Sequence, residues 1–506
     1  MNSRRLTRAL FGVLLFSWSL SLLALPRDAD VNDGPIQYSI RLLTAAAGSN
    51  ELEVEVRFRG NGGGRSTFVL PNNAVGGRDR WRFLSDFRGQ GVQVVSAEEG
   101  RRTFLYSPGS SVVIQYRVHS AYAEDPSGTN PYEGAAIRPE WLATLGEFIF
   151  ITPEHGGDTR AVFHWKDGPK GWKYLSSADG RNDGEQLTVS RLLNSSFIAG
   201  QHLRVVERPI FGGVLRIGAV GSWPDPIDHD ADLVAQIISA QRKFWGDLSG
   251  PYTVTTVTLA GQGGAYGGTG RHRGFAQYIS AGTTDAQRIR LIAHEHLHSW
   301  IPNRLGKMPD SPEQASEYWL TEGFADFYMQ RTLVRSGIWT LEDYVQDLNE
   351  VLESYAQSPD KSRPNAWTSK RYWSEADAQR IPYLRGNLFA HLLNNQIELI
   401  SHNKLNLDNL LFRMRDRWFG TKKNHPVDLI ENLRSSYRSL LGSSDKLDEL
   451  IEKYITNGQP ISLPASLLEN CATIVSSSVN PEKEVQTVQL HVMNKRKQKQ
   501  CKEFMN

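Results

Sequence analysis

Two histidines four positions apart with a glutamate behind the first, His294-Glu295-His296-Leu297-His298, are the residues here whose types and spacing point most directly to chemistry. On a helix, positions i and i+4 stack one turn apart on the same face. Two imidazoles presented in this way suit a tetrahedral Zn²⁺, which takes histidine nitrogens at about 2.0–2.1 Å. Ile289, Ile292, Ala293, Leu297 and Trp300 fall mostly on the other side as a core stripe. His296 lies near that stripe and reads as a packed or hydrogen-bonded histidine. Thr284-x-x-Gln287 has the form of a capping box and predicts a helix over 285–301. The bland alternative for the pair is two satisfied core histidines.

A third ligand separates the two possibilities, because a catalytic zinc keeps three protein ligands and one open position. The segment EYWLTEGFAD (317–326) supplies a candidate in Glu322, on a helix predicted to lie beside the first. Asp326 stands one turn further along the same face. A carboxylate there can accept the Nδ1–H of a zinc histidine and fix its orientation, although an exposed helix acid is an equal alternative. The ligand set is thus His294, His298 and Glu322, holding one zinc per chain. Glu295, next to a ligand, is the candidate general base for a metal-activated water.

The segments HEHLHSWIPNR and WLTEGFADFY resemble the gluzincin peptidases, in which a downstream glutamate completes the zinc site. The closer resemblance is to the glycyl aminopeptidase family, whose H-x-W-x-x-x-R form is met by His298-Ser299-Trp300 and Arg304. It is strong at the zinc site, diffuse elsewhere, and extends to about residue 465. It implies a β-domain, a thermolysin-like catalytic domain and a helical C-terminal domain. It also implies a tyrosine that hydrogen-bonds the oxyanion in a Y-x-(K or R)-G setting, matched by Tyr383-Leu384-Arg385-Gly386. A phenol O–H is a suitable neutral donor for such charge. Family members carry a Gly-Gly-x-Glu-His loop before the zinc helix, whose glutamate helps hold a substrate amine. The comparable stretch here is Gly267-Gly268-Thr269-Gly270-Arg271, with no acid at that place, and the G-x-M-E-N of the sister neutral aminopeptidases is also absent. Gly267, Gly268 and Thr269 are candidate substrate-binding residues, where an edge strand approaches a peptide backbone, or else a flexible turn. Arg271 and Arg273 would repel an ammonium, so peptides with blocked N-termini are expected to be cut unless Glu313, Glu317 or another acid anchors the amine.

The elements that must position these groups are legible in outline. At 506 residues the chain is too long for one ordinary core. Residues 30–205 show strand patterns of period two, as in Ile36, Tyr38, Ile40 and Leu42, with GNGGGR (60–65) as a turn. Further strands are predicted at 112–118, 147–152 and 161–165. From 206 onward come strands at 214–220, 252–259 and 274–280, a helix at 230–245, and the loop GQGGAYGGTG (261–270). Helices are predicted at 312–336, 341–357, 383–400, 427–441 and 445–457. The fold class is α+β and multidomain: a signal peptide (1–25), an N-terminal β-sandwich-like domain (26–205), a thermolysin-like zinc catalytic domain (206–340), a helical C-terminal domain (341–465) and a tail (466–506).

Composition narrows the partners. The formal net charge of +2 gives no reason to expect a nucleic acid partner, and the resemblance implies a peptide or protein as substrate. Arg4, Arg5 and Arg8 followed by an apolar run to Leu25 read as an export signal, with a membrane anchor as the alternative if the segment stays uncleaved. The bulk of the chain is then secreted or periplasmic. Two cysteines, Cys471 and Cys501, do not build the fold, and the sequence leaves their pairing open. The function that the motif and the resemblance imply is zinc-dependent, aminopeptidase-like hydrolysis of peptide bonds. The alternatives are a secreted endopeptidase without amine recognition, and a catalytically silent peptide-binding ectodomain, against which the retained Glu295 argues.

Overall fold

In a computed structural model, the described residues are 34–44, 50–72, 79–96, 98–127, 131–179, 186–222, 227–261, 263–309, 313–420, 427–468, 471–480, 483–490 and 501. The proposed export signal lies outside them, as does the basic run 494–502 apart from Cys501. The period-two patterns near the start form strands Ile36–Thr44 and Asn50–Arg59, paired antiparallel with Tyr38 opposite Val56 and Ile40 opposite Val54. All four side chains are buried, so the alternation marks the inner face of a sheet. This sheet has five strands, completed by Ala161–Trp165, Ser111–Val118 and Leu84–Gln90. Phe58 on it meets Phe68 and Tyr106 of a four-stranded sheet at ring separations of 5.3 and 5.9 Å, which builds the sandwich core. A third, four-stranded sheet (Lys173–Ser176, Ser196–Gly200, Trp141–Leu145, Ala136–Ile137) completes the β region.

One predicted strand is different. Over 147–152 the chain forms a helical turn, Gly146–Ile149, and only then the short strand Thr152–Pro153. The Gly146 amide donates to Ser195, and a Cβ at Gly146 would overlap the Leu192 carbonyl, so docking against a neighbouring turn overrides the local strand propensity.

The region that carries the motif helix is built on a five-stranded sheet ordered Arg204–Ile210, Gly213–Gly221, Tyr252–Leu259, Gly274–Ser280, Tyr266–Arg271. The second, third and fourth strands run parallel. Tyr252 and Val254 pack in the core shared with the helices, whereas Val257 and Leu259 pack in the core of the β-sandwich region. The central strand is therefore covered on both faces, which accounts for its unbroken burial. The glycine-rich stretch read as a loop instead contributes the edge strand Tyr266–Arg271, paired antiparallel with Gly274–Ser280. Gly268 fits because a Cβ there would overlap the ring of Phe275. The glycines thus serve close packing within the sheet rather than a flexible turn.

The helices share one core with this sheet. The motif helix spans Asp285–Leu297, started by a capping box in which Thr284 and Gln287 bond each other's backbone amides. It ends four residues earlier than 301, with His298 as its C-cap. Helix Tyr318–Ser336 follows a short 3₁₀ turn, Glu313–Glu317. Helix Ala376–Ile400 begins well before 383 and carries Pro382 in its interior. Helices Asn365–Arg371 and Leu407–Gly420 were not anticipated from the sequence. Within 466–506, strands Ala472–Asn480 and Lys483–Leu490 form a hairpin, and Cys471 bonds Cys501. Asn349 of helix Leu341–Gln357 exchanges two hydrogen bonds with the backbone of Val488 and pins the hairpin to the body.

Helices Tyr318–Ser336 and Ala376–Ile400 touch backbone to backbone. A Cβ on Gly323 would overlap Gly386, and one on Gly386 would overlap the Trp319 carbonyl. Gly386→Ala is expected to lower stability by about 1–3 kcal/mol through overpacking. Denaturant unfolding checks this, and an unchanged midpoint would show that the helices separate freely.

Candidate active site

The site begins with the motif helix. Trp300 is fully buried, stacks on Trp245 at 5.4 Å and donates its Nε1–H to Asp247 at 2.6 Å. His296 turns inward, bonds Gln241 at 2.6 Å and packs edge-on against Tyr252 and Trp300. Burial holds its pKa well below the usual histidine value, as befits a neutral core imidazole. These anchors seat the back of the helix and leave His294 and His298 on the cleft side.

Each of those rings is oriented through Nδ1. His294 Nδ1 lies 2.8 Å from Asp326 Oδ1, and His298 Nδ1 lies 2.8 Å from the Ile301 carbonyl. Both acceptors call for Nδ1–H, which leaves each Nε2 with its lone pair. The two Nε2 atoms converge on a single oxygen, Glu322 Oε2, at 3.2 and 3.4 Å. Ligands about 2.0–2.1 Å from a tetrahedral cation stand about 3.3–3.4 Å from one another. The two nitrogens therefore stand from the carboxylate oxygen at the spacing of zinc ligands. Glu295 also brings a carboxylate oxygen within 4.8 Å of both imidazoles, but Glu322 is nearer, so Glu322 fits as third ligand and Glu295 stands off.

The electrostatics fit a cation as well. Burial disfavours charge on both histidines, yet Asp326 and Glu322 lift the His294 pKa well above its usual value, and Glu322 lifts that of His298. Burial likewise works against an ionised Glu322, but the two histidines outweigh it and hold the carboxyl well below the usual range. The arrangement favours positive charge between these groups, as a divalent ion would supply.

These groups open into a cleft of about 720 Å³, lined among others by Gly268, Thr269, Gly270, Arg271, Glu295, His298, Glu322, Tyr318, Tyr372 and Tyr383. Tyr383 stacks 5.8 Å from His294, with its hydroxyl 3.4 Å from that of Tyr372. Burial, reinforced by Glu322, raises its pKa well above the usual phenol value, so it keeps its proton at neutral pH. Gly268 and Thr269 line the cleft, whereas Gly267 packs against Tyr278. The Thr269 hydroxyl already accepts from Arg271 at 2.7 Å. Gly270 lies against Glu295 and His298, since a Cβ there would stand 3.8 Å from Glu295 Oε2 and 3.6 Å from His298 Cβ. The sequence did not foretell Glu147, which reaches across from the β-sandwich region to bond Arg271 at 2.7 Å. No local signal links residues so far apart in the chain.

In fold and in the layout of its cleft the chain is similar to zinc metallopeptidases. Residues 287–387 match the family model described as M61 glycyl aminopeptidase, so the chain carries a catalytic segment of that peptidase type. A comparison with curated protein sequences finds no match. Among solved structures, an aminopeptidase N family protein from Idiomarina loihiensis is similar at 18% identity and a TM-score of 0.69, covering 87% of this chain and 79% of that one. An M1 zinc metallopeptidase from Deinococcus radiodurans is similar at 15% identity and a TM-score of 0.53, covering 87% of this chain and 96% of that one. At these identities the likeness is one of fold.

Two substitutions test the assembly. Glu322→Ala should lose most of the bound zinc by elemental analysis, and full occupancy would remove Glu322 from the ligand set. Asp326→Asn should weaken zinc affinity by roughly 10- to 100-fold in a chelator competition, because the partner that orients His294 is lost.

Proposed function

We propose that His294, His298 and Glu322 hold one zinc per chain and that Glu295 and Tyr383 carry the proton and charge movements of peptide hydrolysis. The observation that supports this most directly is the convergence of two Nε2 atoms and one carboxylate oxygen beside Glu295 at the cleft. Zinc, when bound, supplies Lewis acidity that activates water and polarises a carbonyl. Glu295 takes the proton of the attacking water and delivers it to the leaving amine. Tyr383 donates a hydrogen bond to the substrate oxygen as negative charge builds there, and the Tyr372 hydroxyl beside it helps fix its direction. The edge strand Tyr266–Arg271, unpaired on its cleft side among the described strands, receives an extended peptide through Gly268 and Thr269. The Deinococcus radiodurans enzyme has been solved with a Tyr-Ser-Ala substrate, and a short peptide is the substrate class proposed here.

Aminopeptidase-like hydrolysis is the leading form of this function, and one observation favours cutting without a free amine. Next to Gly270, where the family's acid would stand, Arg271 is buried and bound to Glu147, so that carboxylate is already neutralised. Neither Glu313 nor Glu317 is among the residues lining the cleft. Burial, with Asp428 nearby, pushes the Glu317 carboxyl up to about 7, which makes it a poor anchor for an ammonium. Removing an ammonium from water without a paired carboxylate is costly. Export from the cytoplasm belongs to the same proposal, supported by the apolar N-terminal run and by the Cys471–Cys501 disulfide, a bond suited to an oxidising compartment.

Glu295→Gln should keep zinc and lose hydrolysis, because an amide cannot accept the water's proton at neutral pH. Turnover at the wild-type rate would assign the base elsewhere. Tyr383→Phe should lower kcat by about 100- to 1000-fold with little change in KM. An unchanged kcat with a raised KM would make Tyr383 a binding residue only. Matched peptides with free and acetylated N-termini should both be cut, and strict dependence on the free amine would restore a pure aminopeptidase.

A further inference from the structure

We infer that the cleft contains an anion subsite at Arg242, which selects substrates bearing an acidic side chain close to the scissile bond. This rests on the peptidase function proposed above. Arg242 comes from helix Ile227–Trp245, is 1% exposed and yet lines the cleft. Its Nη1 donates to the carbonyls of Gly250 at 2.8 Å and Phe211 at 3.3 Å, and its buried Nε has no partner. Among the described residues no carboxylate lies within ion-pair distance of it.

Several other buried guanidinium groups have a carboxylate partner. Arg288 is held by Asp230, Arg335 by Asp408 and Arg271 by Glu147. Arg385 also lacks a carboxylate, but it binds the carbonyls of Asp360, Lys361 and Arg363 and is not among the residues lining the cleft. Arg242 instead has cations for neighbours. Burial foremost, then the charges of Arg273 and Arg304, push its pKa down to about 10, so it stays charged at neutral pH. A buried cation without a counter-anion is unfavourable, and an anion arriving with the substrate relieves it.

The position suits a residue near the cut. The Arg242 guanidinium lies 5.9 Å from the ring centre of Tyr252, whose phenol is close enough to Glu295 for that carboxylate to help raise its pKa. Arg242 therefore stands one aromatic ring behind the base. Leu248, Ser299 and Arg304 line the same cleft. Among the described lining residues the only carboxylates are Glu295 and Glu322, both at the zinc centre, so nothing there repels an incoming acidic side chain.

The test is a positional series of zinc-loaded full-chain assays. Peptides carry a single Glu, Gln or Lys at each position flanking the cleaved bond in turn. At one position Glu should exceed Gln in kcat/KM by roughly 10- to 100-fold, the range of a charge-assisted hydrogen bond, with Lys poorest. The preference should fall as ionic strength rises. Arg242→Met should bring the Glu-to-Gln ratio to about one, and Arg242→Lys should restore part of it. Should Arg242→Met fail to fold, the wild-type series decides alone. Equal cleavage of Glu and Gln peptides at every position, or a ratio that survives in a folded Arg242→Met protein, would overturn the subsite. Failure to cut any member would instead overturn the peptidase function beneath it.

Discussion

Where the helix Tyr318–Ser336 crosses the helix Ala376–Ile400, no side chain separates them, because Gly323 and Gly386 face each other at the contact. Glu322 precedes the first glycine by one residue, and Tyr383 precedes the second by three. Backbone contact at this crossing lets the carboxylate and the phenol enter one cleft with the motif histidines. Larger residues would push the helices apart, and the tyrosine would withdraw from the centre on which His294 and Glu322 converge. The placing of Glu322 and Tyr383 thus depends on a packing constraint at two glycines that are not among the residues lining the cleft.

A second constraint is electrostatic and runs outward from the same centre. His294 leans on Asp326, Asp326 lies 3.6 Å from Arg290, and Arg290 pairs closely with Asp347. Asp347 accepts from Gln330 at 2.8 Å, and Gln330 accepts from Asn387 at 3.1 Å. This chain ties the motif helix, the Glu322 helix, the helix Leu341–Gln357 and the Tyr383 helix together through polar groups inside a shared apolar core. Buried groups of this kind are costly unless satisfied, and the bonds made here favour one arrangement of the helices. The arrangement they favour is the one that aims two imidazole lone pairs at a carboxylate.

The parts of the site legible in the sequence are those governed by local periodicity. His294 and His298 one turn apart, Asp326 one turn beyond Glu322, and the capping box at Thr284 follow from helical spacing alone. The same holds for Tyr38, Ile40, Val54 and Val56, whose period of two marks the inner face of a sheet. What could not be read depends on contacts between distant segments. The edge strand Tyr266–Arg271 looks like a loop by composition, because its glycines answer to Phe275 and Tyr278 across the sheet. The pair Glu147–Arg271 joins residues 124 positions apart in the chain, and the 147–152 segment bends because Gly146 docks against Leu192. Helix Ala376–Ile400 runs through Pro382, where propensity alone would have begun it later.

The central claim is that His294, His298 and Glu322 share one metal while Glu295 stands off it. Anomalous diffraction at the zinc absorption edge from zinc-loaded crystals tests this most directly. The account predicts one peak per chain, about 2.0–2.1 Å from both Nε2 atoms and from a Glu322 oxygen, with Glu295 outside bonding distance. A peak bonded to Glu295 in place of Glu322, or no peak at this centre, would contradict it.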